Sequence, residues 1–250
     1  MFPTINLGPL SLPAPELILI ISFWLGSIIS ERQAKRFNVD PLILDKILWI
    51  TLLAGIIGAR LSYVARSPFA FEGNLLAIFS LNPDLLDPAG GLLISAAVGF
   101  LYLSKQQISA KSFLDSLSPF LGVMALALSL SNFASGRGFG TATNLPWGIE
   151  LWGEIRHPVQ IYYIIGGIFT LFILLRFYQG NNYQPGTIFT AFLSMTSGYQ
   201  LFFSAFQETR FVTFSGIRLS QIVALAILLI SLYLLINQII PAVEEDTHAS

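Results

Sequence analysis

The chain has 250 residues, of which 54% are apolar and 11% charged, and its mean hydropathy is +0.70. Soluble domains carry about 25% charged residues, so this chain lacks the polar skin of a typical cytosolic enzyme or a disordered segment. A net charge of −1, from 13 Lys and Arg against 14 Asp and Glu, provides no basic field for a nucleic acid. The absence of cysteine removes disulfides, thiolate metal sites and cysteine nucleophiles. What remains is an integral membrane protein.

A bilayer core of about 30 Å takes roughly 20 apolar residues per helix. Seven segments approach that length, at about 15–30, 42–64, 90–104, 113–133, 159–178, 187–206 and 219–240. In lipid each span must satisfy its own backbone, so each is expected to be a helix. The predicted class is an all-α polytopic membrane protein with seven transmembrane helices. It forms one domain over residues 1–250, with a small irregular or β-containing loop on the outer side at about 134–158.

Met1 to Pro15 carry no Lys or Arg, unlike a cleavable signal peptide. Arg32, Lys35 and Arg36 follow the first span. The positive-inside rule therefore puts the N-terminus outside and, after seven spans, the C-terminus in the cytoplasm. The second span closes on Gly58-Ala59-Arg60-Leu61-Ser62-Tyr63. The third is the shortest and opens on Ala89-Gly90-Gly91, where an irregular start is expected. The fourth ends near Asn132.

In the loop that follows, Gly136, Gly138 and Gly140 flank Arg137. That spacing allows tight turns and an anion-binding nest, but an apolar run precedes it, so a dinucleotide fingerprint is not supported. Trp147, Ile149 and Leu151 alternate with Gly148, Glu150 and Trp152, which predicts a short strand or hairpin anchored at the membrane interface. The fifth span opens on Arg156-His157-Pro158-Val159-Gln160-Ile161-Tyr162. Pro158 fits a first helical turn, which places His157 at the N-cap. Outside the tail, His157 is the only histidine. It is either a general base titrating near neutrality or a structural cap.

Gln200, Ser204 and Gln207 lie about one turn apart on the sixth span, with Glu208 and Arg210 just beyond; the seventh, Leu219 to Ile240, has no formal charge. Polar groups inside spans are costly and face an interior. They are read either as links between helices or as the wall of a shared outer cavity. All four lysines fall on the proposed inner side, while Arg60, Arg66, Arg137, Arg156, Arg210 and Arg218 fall on the outer side. Guanidinium forks suit phosphate, so the outer face is either phosphate-binding or ordinary topology.

Several motifs now resemble the prolipoprotein diacylglyceryl transferase family. They are Phe2-Pro3-Thr4-Ile5 with Leu7-Gly8-Pro9, the Arg60 element, Ala89-Gly90-Gly91-Leu92, and Asn132-Phe133 with Gly136 and Gly140. The most specific is Leu145-Pro146-Trp147-Gly148 followed by His157-Pro158-Val159-Gln160-Ile161-Tyr162. The resemblance implies a seven-helix enzyme of the bacterial plasma membrane, without cofactor or metal. It would move diacylglyceryl from phosphatidylglycerol to the lipobox cysteine thiol of a preprolipoprotein signal peptide, forming a thioether and releasing glycerol 1-phosphate. His157 would be the catalytic base. Arg60, Arg137, Arg156 and Arg210 would hold the lipid phosphate, and Asn132, Gly136, Gly140, Gln160, Tyr162 and Gln200 would shape the cavity and orient groups.

The same resemblance exposes departures. The family's histidine before Gly-Gly is Ala89, its signature arginine is Ser129 and its signature glutamate is Arg137. The sixth-span arginine, glutamate and second arginine are Gln200, Ser204 and Gln207, and the glutamate after Tyr162 is Tyr163. The aromatic pair near the first helix falls at Ala14-Pro15. Two expectations stand side by side: an active, divergent transferase, and a relative that binds an anionic phospholipid or a lipoprotein precursor without turnover. An unrelated transporter or receptor ranks last. No repeat is visible, and the seventh span has no lysine for a retinal-type sensor.

Overall fold

The computed structural model of the chain describes residues 4–7, 10–80, 82, 85–151, 153–179, 183–208 and 218–248. Among them are seven α-helices: α1 (Ala14–Ala34), α2 (Pro41–Arg66), α3 (Pro88–Ser104), α4 (Ala110–Ser135), α5 (Val159–Phe177), α6 (Thr187–Phe203) and α7 (Leu219–His248). Two antiparallel hairpins accompany them, β1 (Thr4–Leu7) with β2 (Leu10–Pro13), and β3 (Ile149–Leu151) with β4 (Glu154–Arg156). The second hairpin lies where the Trp147–Leu151 alternation predicts it, whereas the first was not anticipated.

Among the described residues, five helical stretches are long and apolar enough to cross a membrane: Ala14–Phe37, Pro41–Arg66, Ala110–Ser135, Val159–Phe177 and Leu219–Gln238. Helices α3 and α6 have 17 residues each. At 1.5 Å per residue they reach about 26 Å, short of a bilayer core of about 30 Å. The fold is thus all-α with five helices of spanning length. The chain divides into two compact units, Met1–Gln33 with Leu114–Ser250, and Ala34–Phe113.

In the smaller unit, α2 and α3 pack through small residues. A Cβ on Gly91 would stand 2.9 Å from the Gly55 carbonyl oxygen, and one on Gly58 would stand 2.7 Å from Ile94 Cβ. A Cβ on Gly90 would strike the Ser62 side chain. Small residues let backbones approach where lipid offers no hydrophobic drive. This corrects the expected irregular start of the third span. Gly90 and Gly91 lie inside a regular helix and are needed for packing. That helix starts at Pro88, and the Asp87 carboxylate accepts the Ala89 N–H at 3.2 Å.

Asp87 also accepts the Ser62 hydroxyl at 2.5 Å and pairs with Arg66 at 3.4 Å. The Ser62 hydrogen bond holds its carboxyl below the usual carboxylate range; partial burial opposes this, and Arg66 and the first amides of α3 reinforce it.

In the larger unit, Pro119 sits inside α4. Proline has no N–H, so the Asp115 carbonyl loses its helical donor. The Tyr178 hydroxyl donates to that carbonyl at 2.7 Å, and the displaced Phe120 N–H donates to Ser30 Oγ on α1 at 2.9 Å. The buried Asp115 carboxylate accepts the Gly186 and Phe189 N–H groups at 2.6 and 2.8 Å. It therefore caps α6, whose own N-cap, Gly186, has no side chain. Further along, Ser194 donates to Ser231 at 2.9 Å and Thr190 to Gln238 at 2.8 Å, joining α6 to α7.

Two outcomes follow. Asp115→Ala strands two amide donors and is expected to destabilise the fold by about 1–3 kcal/mol. Asp115→Asn, which keeps an acceptor, costs less; unfolding in detergent ranks the two. For Asp87 the folded carboxyl is the stronger acid, so its stabilising contribution is complete above its unfolded pKa and is lost as pH falls through the folded value. Thermal stability should therefore drop more steeply below about pH 4 in the parent than in Asp87→Asn.

Candidate functional site

The loop after α4 is built on backbone hydrogen bonds. Gly136 has φ +75°, and the Arg137 N–H returns to the Asn132 carbonyl at 3.0 Å. This is the glycine-terminated helix end known as a Schellman motif. Downstream, the Gly140 N–H donates to the His157 carbonyl at 3.1 Å, and the Thr141 N–H to the Phe206 carbonyl at 2.8 Å. These amides face carbonyls, so the expected anion nest does not form from them. Isolated bridges pair Gly140 with Gln207 and Ala142 with Arg156, so residues 140–143 lie between the β4 strand and residue 207. A Cβ on Gly140 would stand 2.5 Å from His157 Cβ, which explains a glycine where the two chains cross.

This pairing also corrects two expectations. His157 is not the N-cap of α5, because its N–H and carbonyl are both held in the ladder with Thr141 and Gly140; Pro158 occupies the cap. Gln207 is not on the sixth helix. The helix ends at Phe203, tightens into a 3₁₀ turn over Ser204–Phe206, and leaves Gln207 extended beside Gly140.

The His157 ring contacts Phe206 with centroids 4.9 Å apart, and its Nδ1 lies 3.2 Å from the Tyr162 hydroxyl. The same hydroxyl accepts the Trp147 indole N–H at 2.9 Å. Indole only donates. The Tyr162 oxygen, already accepting from Trp147, either donates its hydrogen to Nδ1 or accepts a second hydrogen from Nδ1–H, according to the His157 tautomer.

The nominated cations are placed differently. Arg60 is 8% exposed, and its three guanidinium nitrogens donate to the carbonyls of Ile78 (2.7 Å), Leu85 (2.7 Å) and Ala77. It fastens the 67–87 loop of the smaller unit. Arg156 is held between Glu154 at 2.6 Å and Glu208 at 3.1 Å, over the Phe139 ring at 5.0 Å. Arg137 is exposed. Arg210 and Trp152 lie outside the described residues, as do Phe2, Pro3, Gly8 and Pro9 of the N-terminal motif.

Two cavities adjoin in the larger unit. One, of about 270 Å³, is walled by Ala125, Leu128, Ser129, Asn132, Gly138, Gln160, Tyr163, Tyr199, Gln200 and Gln207. The other, of about 570 Å³, is a mainly apolar cleft between α4, α6 and α7, lined by residues such as Phe192, Leu193, Leu219, Val223 and Ile227. They share Ala125, Tyr199 and Gln200. Gln160 is 2% exposed; its Nε2 donates to the Arg137 carbonyl at 2.9 Å, and its Oε1 is buried without a partner. His157, Tyr162 and Gly140 do not line this cavity, and Ser204 is buried with its hydroxyl turned to the Leu201 carbonyl.

The prolipoprotein diacylglyceryl transferase family model matches residues 4–237. The chain belongs to that family. It is 28% identical over 222 residues to the phosphatidylglycerol–prolipoprotein diacylglyceryl transferase of Finegoldia magna, covering 88% of this chain and 89% of the relative. The protein of the same name from Clostridioides difficile is 30% identical over 207 residues, 80% of each chain. That from Solidesulfovibrio magneticus is 26% identical over 92% of each. Diacylglyceryl transfer is thus the function at the level of the family, and the chain is a multi-pass membrane protein.

In this member of the diacylglyceryl transferase family, four substituted motif positions, Ser129, Tyr163, Gln200 and Gln207, meet around one cavity. Sequence reasoning grouped Gln200 and Gln207 on one helix face but did not single out Tyr199, which joins the two cavities, or assign Tyr163 to the wall. Tyr163 entered the sequence reading only as the residue at the place of a family glutamate, and Tyr199 carries no motif signal.

Trp147→Phe keeps a ring and removes the indole donor. The Tyr162 oxygen then accepts from Nδ1–H without competition, and the Nδ1–H tautomer of His157 should rise. Nitrogen-15 shifts report it directly, because the chain has 2 histidines and His248 serves as the internal control. Unchanged His157 shifts would refute the coupling of Trp147 to His157 through Tyr162.

Proposed function

We propose that this chain is a diacylglyceryl transferase-type enzyme of the bacterial plasma membrane, with seven membrane helices, an outer N-terminus and a cytoplasmic C-terminus. The observation that carries this is the pair of adjoining cavities, a polar one at the 136–140 loop opening onto an apolar cleft. A diacyl lipid has the same two parts. Its headgroup fits among the amides, and an acyl chain fits between α6 and α7. The named relatives act on phosphatidylglycerol and prolipoprotein. By that likeness the partners of this chain are a phospholipid and a lipobox-bearing signal peptide.

The acceptor thiol, with a pKa of about 8.5, must lose a proton to become nucleophilic. His157 stands at the loop crossing against Gly140, outside the wall of the polar cavity. In the tautomer with an unprotonated Nδ1, the Tyr162 hydroxyl 3.2 Å away is the group through which a proton reaches the ring. The thiolate then displaces the headgroup from the diacylglyceryl carbon, and the carbon–sulfur bond replaces a carbon–oxygen bond.

One observation favours a second reading, lipid binding without turnover. Among the described residues the polar cavity has no Asp, Glu, Lys, Arg or His in its wall, and a departing phosphate needs a cation as its charge develops. The deciding experiment reconstitutes the full chain with a total bacterial lipid extract and a lipobox peptide. A thioether product that falls by about 10²- to 10⁴-fold in His157→Ala is the outcome expected of an enzyme. Retained lipid with no product from the parent protein selects the second reading.

A further inference from the structure

We infer that the loop between α2 and α3 is seated in one leaflet of the membrane, with Phe69, Leu76 and Phe79 inserted among the acyl chains. The inference needs only a multi-pass membrane protein, and it holds whether or not the chain turns over a lipid.

The loop is inside out for a segment in water. It contains two 3₁₀ turns, Pro68–Phe71 and Leu75–Phe79. The Ala77 and Ile78 carbonyls of the second turn, with that of Leu85 beyond it, accept from the guanidinium of the buried Arg60. Phe71 is also inside at 4% exposure, its ring 5.4 Å from that guanidinium and edge-on to Tyr63 at 6.3 Å. The side chains left outside are large and apolar. Phe69 is 80% exposed, and Leu76 and Phe79 are 81% exposed. In water the carbonyls need no guanidinium, and three such side chains gain nothing by pointing outward. Among lipid both preferences reverse, because irregular backbone must find its partners within the protein.

The course of the chain agrees. Arg60 lies six residues before Arg66, the end of α2, which is about 9 Å along the helix. The loop ends at the same depth, where the Asp87 N–H donates to the Ala59 carbonyl at 3.0 Å. From Ser67 to Asp87 the chain therefore returns down the side of α2. The 17 residues of α3, which follow, reach about 26 Å against a bilayer core of about 30 Å. A loop that dips into the leaflet makes up the difference.

The apolar patch continues the surface of the helices that carry it, where Ile57, Leu61, Leu92 and Leu93 are exposed. That continuity names lipid, and not a second copy of the chain, as what covers the patch. Between the two turns Glu72, Gly73 and Asn74 are exposed. They supply the polar side of an interfacial element, at the level of the headgroups.

The chain has no cysteine, so single cysteines can be labelled without background. Phe69→Cys, Leu76→Cys and Phe79→Cys, each in the full-length protein, receive a nitroxide in nanodiscs of phosphatidylglycerol and phosphatidylethanolamine. Glu72→Cys and Asn74→Cys are the polar references, and Leu53→Cys, at an exposed position of α2, is the hydrocarbon reference. Power saturation compares access of oxygen, which concentrates in hydrocarbon, with access of a water-soluble nickel chelate. The oxygen-to-nickel ratio at the three apolar sites is expected to be several-fold above the polar references and close to that at residue 53. Ratios equal to the polar references at two or more of the three sites overturn the inference. Protection from both reagents there overturns it as well, since protein then covers the patch. Each site is read separately, so a variant that fails to fold leaves the other two to decide.

Discussion

In a lipid-embedded chain no buried polar group can turn to water, so each one needs a partner inside the protein. The Pro119 junction shows what that constraint does. A single proline removes one donor and displaces another, and the chain answers with Tyr178 and Ser30 from two other segments. The adjacent Asp115 carboxylate is committed to the start of α6. Four segments are thereby fixed around one helical irregularity, and α6 is held where its later residues wall both cavities.

The same constraint explains the arginines. Guanidinium is expected to mark phosphate when it clusters on an outer face, but it is also the best side chain for gathering several carbonyls. Arg60 does the latter for the 67–87 loop, and Arg156 bridges two carboxylates. Both are occupied in holding irregular backbone. A count of outer cations therefore measures how much loop needs fastening as much as how much anion is bound. The Gln160 oxygen is one of several buried polar atoms left without a partner among the described residues, with the Tyr163 hydroxyl another in the same cavity wall.

Much of the helical fold was legible because composition and length determine it. The seven apolar segments coincide with α1–α7 to within a few residues at most ends. The exceptions have physical causes. Gly90 and Gly91 read as a break because a glycine pair gives the same signal for a turn and for a close helix crossing; Ser62 and Gly55 on the opposite helix decide between them. Gln207 seemed helical because spacing alone does not register the 3₁₀ turn at Ser204–Phe206 that releases it. The β1–β2 hairpin was missed because its two strands, Thr4–Leu7 and Leu10–Pro13, have four residues each, the shortest run over which alternation can be read. Within the candidate site, the residue types were legible and their partition was not. His157 and Gln160 are three apart, yet one faces Tyr162 and Phe206 and the other faces the cavity.

That partition bears on how the fold tolerates its substitutions. The backbone framework of the site depends on Gly136, on Gly140 and on ladder bonds that involve no charged side chain. Replacing charged groups by Ser129, Tyr163, Gln200 and Gln207 therefore leaves the wall in place. Glutamine is shorter than arginine but keeps a planar, hydrogen-bonding end, so the change removes net charge while preserving directional donors and acceptors. In a low-dielectric site that distinction is large, because an uncompensated ion is far costlier to bury than a hydroxyl that finds its partners. The low charge that marks this chain as a membrane protein thus extends into the cavity wall, which has no ionised side chain among the described residues.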